Sequence, residues 1–160
     1  MTEAHLEICL GESSIPVGIL HYTASGNREF SNFQYDFSWL EHPEAFALAP
    51  AFPLNEGKNF FRGDRPLPPF LMDTMPDSWG KKIFAMNARQ SGSAEDLNSM
   101  GFLLAVSDFC RIGALRVRHL GANTQFLAVD QNDVLPKLYE IEEFCEIVRN
   151  IEQNTWIGIQ

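Results

Sequence analysis

Apolar and polar positions alternate at the start of the chain. Leu6, Ile8 and Leu10 are interleaved with His5, Glu7 and Cys9, the two-residue period of a β-strand. Residues 11–16 carry turn chemistry, and residues 17–22 form the returning strand of a hairpin. Ser25-Gly26-Asn27 is a second turn. A third strand over residues 28–35 places apolar side chains at Phe30, Phe33 and Tyr35, a spacing that allows a bulge. Trp39 and Leu40 precede His42-Pro43, which breaks the preceding element. Pro50 and Pro53 confine residues 46–54 to an edge or an irregular extension, because proline cannot donate to a ladder. Pro66, Pro68 and Pro69 make residues 65–70 a loop, expected to lie exposed as contact surface.

The period then changes to helical. Asp77 is placed to cap a helix over residues 78–89, with Trp79, Ile83 and Met86 on one face. Ser91-Gly92-Ser93 ends it. Ser93-Ala94-Glu95-Asp96 has the outline of a capping box and opens a second helix, with Leu97, Gly101 and Leu104 inward. Residues 111–118 (RIGALRVR) alternate as a strand, and residues 126–129 suggest another. Ile141, Phe144, Cys145, Val148 and Ile151 have the spacing of an amphipathic helix over residues 140–153. The expected fold class is α+β: a small, mostly antiparallel sheet or partial barrel near the N-terminus, with a helical portion packed on it. The expected domain covers residues 1–153, β-rich over 5–64, mixed over 70–130 and closed by the helix at 140–153. Residues 154–160 form an apolar tail around Trp156, read as a product of truncation.

Length and charge narrow the function. A chain of 160 residues is long enough for one hydrophobic core without disulfides. Thirteen Phe residues, against three Trp and three Tyr, suit β-rich packing. Lys and Arg number 12 against 21 Asp and Glu, a net charge of −9. Affinity for phosphate backbones comes from clustered Lys and Arg, so no direct nucleic-acid partner is expected. No apolar run approaches the roughly 20 residues of a membrane span, so no membrane partner is expected either. Met1 to Leu10 lacks a basic start with an apolar stretch behind it, which leaves the cytoplasm as the expected location. Cys9, Cys110 and Cys145 are far apart and odd in number, as buried thiols in a reducing compartment would be.

Catalytic constellations are missing from the sequence. His5, His21, His42 and His119 make no metal-binding spacing, and surface or rim positions are expected for them. There is no nucleophile elbow, Walker loop or dinucleotide fingerprint. Catalytic, cofactor-binding and metal-binding residues are therefore all expected to be none. Asp73 and Asp77 flank Met75-Pro76, and their structural reading as turn and cap residues outweighs a catalytic pair. Gly101 and Gly113 suit close packing or a bulge. Arg111, Arg116 and Arg118 form the one basic stretch; a solvated face or partners for nearby acids is the expected role. Trp39 and Trp79 are expected in the core. Candidate interface or structural residues are Asp73, Pro76, Asp77, Trp79, Arg111 and Gly113.

Three stretches together resemble the N-terminal region of the HipA family of toxin kinases. They are Pro16-Val17-Gly18-Ile19-Leu20; Phe70-Leu71-Met72-Asp73-Thr74-Met75-Pro76-Asp77-Ser78-Trp79-Gly80, similar to the family's F-x-x-L-x-P-D helix start; and Asp108-Phe109-Cys110-Arg111-Ile112-Gly113-Ala114-Leu115, similar to its D-x-x-R-x-G-A-L strand. Residues 49–54 sit where the family has L-S-L-S-L-P-L but depart from that pattern. The similarity spans residues 5–153. It implies the N-terminal module of a serine/threonine kinase toxin from a bacterial type II toxin–antitoxin system. ATP and Mg are implied only for the full-length kinase, whose glycine-rich loop, catalytic Asp and metal ligands do not occur in these 160 residues. The implied partners are a helix-turn-helix antitoxin, a HipA-like kinase core or, as a homodimer, a second copy. A shortened toxin is favoured by the helix at 140–153; the alternative is a stand-alone antitoxin-like module that docks on a separate short kinase. Outside the family, an adaptor or a small-molecule domain remains, the latter needing acids and His42 to converge in a pocket.

Overall fold

A computed structural model describes residues 2–11, 13–90 (backbone alone over 86–90), 98–106, 111–121 and 148–149. Strands β1 (Thr2–Leu10), β2 (Ile15–Ser25) and β3 (Arg28–Tyr35) form a meander. Helix α1 (Phe37–Leu40) follows, then β4 (Asn59–Arg62), α2 (Pro69–Met72), α3 (Ser78–Gln90), α4 (Ser99–Ala105) and β5 (Leu115–His119). The five strands make one antiparallel sheet in the order β4-β3-β2-β1-β5. The α+β class holds, and the sheet is open rather than a partial barrel.

The strand alternation works as physical chemistry requires. Leu6, Ile8, Leu20, Tyr22, Phe33, Tyr35 and Val117 all fall on one face and are buried. Trp39, Leu67, Leu71, Met100 and Leu103, from the helices and connections, close the core over that face. The bulge falls in the first hairpin, between Ile8 and Cys9, and not in β3. That shift places Pro16 opposite Cys9, so Ile15 and Pro16 belong to β2 and the turn is shorter than expected. Cys9 is a buried thiol.

Polar handles on buried rings tie down the long irregular stretch between α1 and β4. The Tyr35 hydroxyl donates to the Phe52 carbonyl and accepts the Leu48 amide, both at 2.9 Å. Trp39 Nε1 donates to the Phe46 carbonyl (3.3 Å). Buried tyrosine and tryptophan place their polar tips on partners in this way, and a loop so held keeps its backbone groups satisfied. The four residues of β4 are too short to display a period, and the sequence pattern does not announce them.

Two connections differ from expectation. In the proline loop, Pro66, Leu67 and Pro68 are buried, and the Ser31 hydroxyl donates to the Pro66 carbonyl (2.6 Å). Prolines lack an amide to satisfy, so they enter a core at low polar cost. Pro69 then starts α2, the position where proline suits a helix. The second difference is α4. Its cap is Asn98, whose Oδ1 accepts the Gly101 amide (2.8 Å), and Met100 and Leu103 are its buried residues, with Leu104 packed on the core margin. Residues 93–96, the expected cap, lie outside the described residues, as do Leu97, 126–129 and 154–160. Of the expected helix at 140–153, Val148 and Arg149 are described and are helical. Among the described residues, no helix is long and apolar enough to cross a membrane.

Candidate functional site

The segment from Asp73 to Gly80 is built by local rules. The α2 C-cap is Asp73, which is exposed, and its amide donates to the Pro69 carbonyl (2.9 Å). Thr74 is buried and its hydroxyl donates to the Leu71 carbonyl (2.8 Å). Pro76 stops the chain from continuing as helix. Asp77 then caps α3 as expected, its Oδ1 accepting the Gly80 amide at 2.8 Å. A Cβ on Gly80 would lie 2.8 Å from Pro76 Cβ, so position 80 is closed to any side chain while the cap stands. Trp79 is 40% exposed, not a core residue. The cap forces this. Asp77 and Gly80 hold the first turn of α3 against Pro76, and the two residues between them, Ser78 and Trp79, are both exposed. Nearby, Lys81 Nζ lies 5.6 Å from the centre of the Phe102 ring and links α3 to α4.

The basic stretch divides into three roles. Arg111 is a buried structural residue. Its guanidinium donates to Thr74 Oγ1 (3.2 Å), the Leu103 carbonyl (3.2 Å) and the Val106 carbonyl (2.9 Å). Leu103 and Val106 end α4, where carbonyls lack helical partners, and a cation suits that end of the dipole. Arg111 thus joins the end of α4 to the residue that leads into Pro76 and Asp77. The strand begins only at Leu115, after Gly113 at φ +89°. Gly113 is there for backbone freedom and not close packing, since nothing lies within 4 Å of a Cβ placed on it. Arg116 turns back onto the Gly113 and Leu115 carbonyls (2.9 and 2.8 Å), and Arg118 pairs with Glu7 across β1 and β5. That hydrogen bond with Glu7 holds the Arg118 guanidinium above its ordinary value. The expectation of acidic partners holds for Arg118.

The arrangement thus presents an exposed aromatic side chain, Trp79, on a braced helix start whose approach carries two exposed acidic residues, Asp73 and Asp77. The model of the HipA N-terminal domain family matches residues 6–118, which include all six candidate residues and the sheet from Leu6 to Arg118. The chain belongs to the HipA N-terminal domain family. No curated protein and no solved structure gives a match.

In this HipA N-terminal domain, the opposite sheet face carries a feature that the sequence pattern left unnoticed. His5 and His21 are direct partners across β1 and β2, with Nδ1 atoms 2.6 Å apart and ring centres 4.8 Å apart. At that distance one nitrogen donates and the other accepts. The signal was available in the hairpin register, but a separation of 16 residues matches no local motif. His42 has a structural role: it stacks on Trp39 at 5.4 Å, and its Nδ1 accepts the Glu44 amide (3.2 Å). Inside the sheet, Glu29 accepts the Tyr22 hydroxyl (2.8 Å) and the Ser99 amide (3.0 Å), docking the start of α4. Burial and that carboxylate push the Tyr22 phenol well above its usual range.

Burial, His5 and Lys58 all lower the pKa of His21 from 6.5. The unfolded chain therefore binds a proton at His21 more readily than the folded one does. Stability from this group is complete above about pH 6.5 and falls as the pH drops through the lowered folded value. Urea unfolding from about pH 8 to about pH 5 should show the midpoint falling with acid, with a shallower fall in His21→Gln. Equal slopes in the two proteins would remove His21 as the cause.

Proposed function

We propose that this chain is the docking module of a HipA-like toxin–antitoxin system and acts by protein–protein binding. Its partner is a HipA-like kinase core or a helix-turn-helix antitoxin. The observation that carries this reading is the exposure of Trp79, a large aromatic on a braced turn within the family's own matched range. Tryptophan is among the residues that dominate binding energy when a partner buries it. Asp73 and Asp77 beside it favour a partner with a basic rim, since complementary charge sets specificity and on-rate.

The test is calorimetric titration of the full chain against a HipA-like kinase core and against a helix-turn-helix antitoxin. Trp79→Ala should weaken the complex by about 30-fold or more, the loss of a hot spot of about 2 kcal/mol. Its unfolding free energy should fall by far less than the loss in binding, because Trp79 lies at the surface and outside the core cluster. Binding that is indifferent to Trp79→Ala would move the docking surface elsewhere. No binding to either protein would remove the toxin–antitoxin reading.

A further inference from the structure

We propose that the outer face of the sheet, at its β4 edge, docks an extended acidic peptide segment of a partner protein, one with an apolar residue between two acids. The register defines the surface. Ser31 and Phe33 are buried, so their β4 partners Phe61 and Asn59 lie on the core side, and Phe60 and Arg62 lie on the outer side. Phe60 is 76% exposed, and Phe30, diagonal to it across the ladder, is 46% exposed. Lys58 precedes β4 in the same alternation, and its charge bears on His21 of the outer face. This surface is distinct from the one at Trp79 and opposite to it in charge, and the inference does not depend on that docking role.

Charge identifies what this surface takes. The chain carries a net charge of −9, yet this row is cationic. After Gly63 and Asp64 the chain folds back, and Arg65 bridges Arg62, which sets the two arginines directly opposite each other on one face. Like charges so placed repel. Among the described residues, no ion pair joins Lys58, Arg62 or Arg65 to an acid. A carboxylate at the arginine pair relieves the repulsion and accepts hydrogen bonds from the guanidinium forks. Glu56 and Asp64, exposed beyond the two ends of β4, weaken the positive field without removing it. Between the cations, the Phe60 ring offers a contact to an apolar side chain. Along residues 59–61 the outer flank of β4 has no neighbouring strand among the described residues. An extended segment laid there shows a side chain on the outer face at every second residue. One acid then lies beside Lys58, an apolar residue beside Phe60, and a second acid abuts Arg62 and Arg65. A second copy of this chain does not suit the site, because two-fold pairing of the edges sets one cationic row against the other. A nucleic acid, with a charge on every unit, is repelled at long range by the acidic remainder of the chain.

The probe is the fluorescein-labelled peptide Ser-Glu-Thr-Val-Thr-Glu-Ser, titrated with the full chain at low salt and read by fluorescence anisotropy. Binding should saturate below about 1 mM and weaken as salt is added. The same peptide with both Glu replaced by Gln should bind about tenfold more weakly or worse. Phe60→Ala should weaken binding several-fold, while Trp79→Ala leaves it unchanged. The double variant Arg62→Glu, Arg65→Glu should lose the acidic peptide and gain its lysine counterpart, Ser-Lys-Thr-Val-Thr-Lys-Ser. That exchange of preference shows a folded variant and a charge-read site together. In the parent, the amide resonances of β4 should shift with the peptide further than those of α3. The proposal is overturned by a parent with no saturable binding, by equal affinity for the Glu and Gln peptides, or by shifts confined to α3. Tighter binding of a labelled oligothymidylate than of the peptide would make the surface a nucleic-acid site and overturn it. So would self-association of the chain that Phe60→Ala abolishes, since the occupant would then be a second copy.

Discussion

Arg111→Ala is expected to lower the unfolding free energy by about 3 kcal/mol, among the larger effects a single substitution gives. Arg111 is 4% exposed, and its guanidinium donates to Thr74 Oγ1 and to the Leu103 and Val106 carbonyls. Alanine removes the donors and leaves the Leu103 and Val106 carbonyls where water has little access. Each buried acceptor so stranded costs about 1–3 kcal/mol, and the aliphatic stem of arginine takes its packing with it. For a chain of this size the melting temperature should fall by roughly 6–12 °C. Arg111→Lys should recover part of the loss. It keeps a charge at the end of α4, but a single ammonium cannot reproduce the planar fork that reaches the Thr74 hydroxyl and two carbonyls together. Arg111→Met separates packing from hydrogen bonding: it restores the stem and none of the donors. Urea unfolding of the three variants should rank lysine above methionine and methionine above alanine. A parent-like midpoint for alanine would show that the three hydrogen bonds contribute nothing net. Because Thr74 leads into the Pro76–Asp77 turn, the same substitution should also loosen the mounting of Trp79.

The role of Arg111 illustrates what the sequence made legible and what it did not. An arginine in a strand-like run, in an acidic chain, points to a solvated face or to partnership with nearby acids, and Arg118, paired with Glu7, fits the second. It failed for Arg111 because the deciding partners are the final carbonyls of α4, which no pattern of side chains displays. The first three strands were legible because one face is buried and the other is wet, so the period of two survives in the residue types. β4 was invisible because four residues hold no period and its neighbours are prolines and glycines. The α3 cap was legible, since Asp before a helical run has few other uses. The exposure of Trp79 was not, because helical spacing with Ile83 and Met86 mimics a core stripe. Only the tight approach of Gly80 to Pro76 fixes which way that turn faces. The buried prolines at 66 and 68 reversed a sound expectation for a comparable reason: proline marks loops, and a loop without amides to satisfy can be drawn into a core. His5 and His21 meet only through hairpin register, a property of the pair of strands and not of either one.

Phe33→Ala should destabilise the domain by about 3–5 kcal/mol, the range for deleting a fully buried aromatic ring. Phe33 has no solvent exposure, lies edge-on to Tyr35 and to Phe70 with ring centres 5.1 Å apart in each case, and covers the backbone of Gly18. The contact with Gly18 makes the cavity hard to refill. Position 18 has no side chain to relax into the space, and the flanking strands are fixed by their ladders. Filling the gap from that side with Gly18→Ala looks attractive, since the new Cβ would fall 2.5 Å from the Phe33 ring tip that the first substitution removes. It should fail, because the same Cβ also falls 2.5 Å from the Gln34 carbonyl oxygen, a backbone atom that the removal of the ring does not move. The double variant is therefore expected to be less stable than Phe33→Ala alone. Chemical unfolding of the two single variants and the double closes this cycle. A double variant more stable than Phe33→Ala would mean that β3 shifts to accommodate a methyl group at position 18. Phe70 is the second residue of α2, so loss of its aromatic contact with Phe33 should also free the segment that carries Asp73 and Thr74. Amide exchange in α2 should then rise further than in β1, where the ladders to β2 and β5 persist.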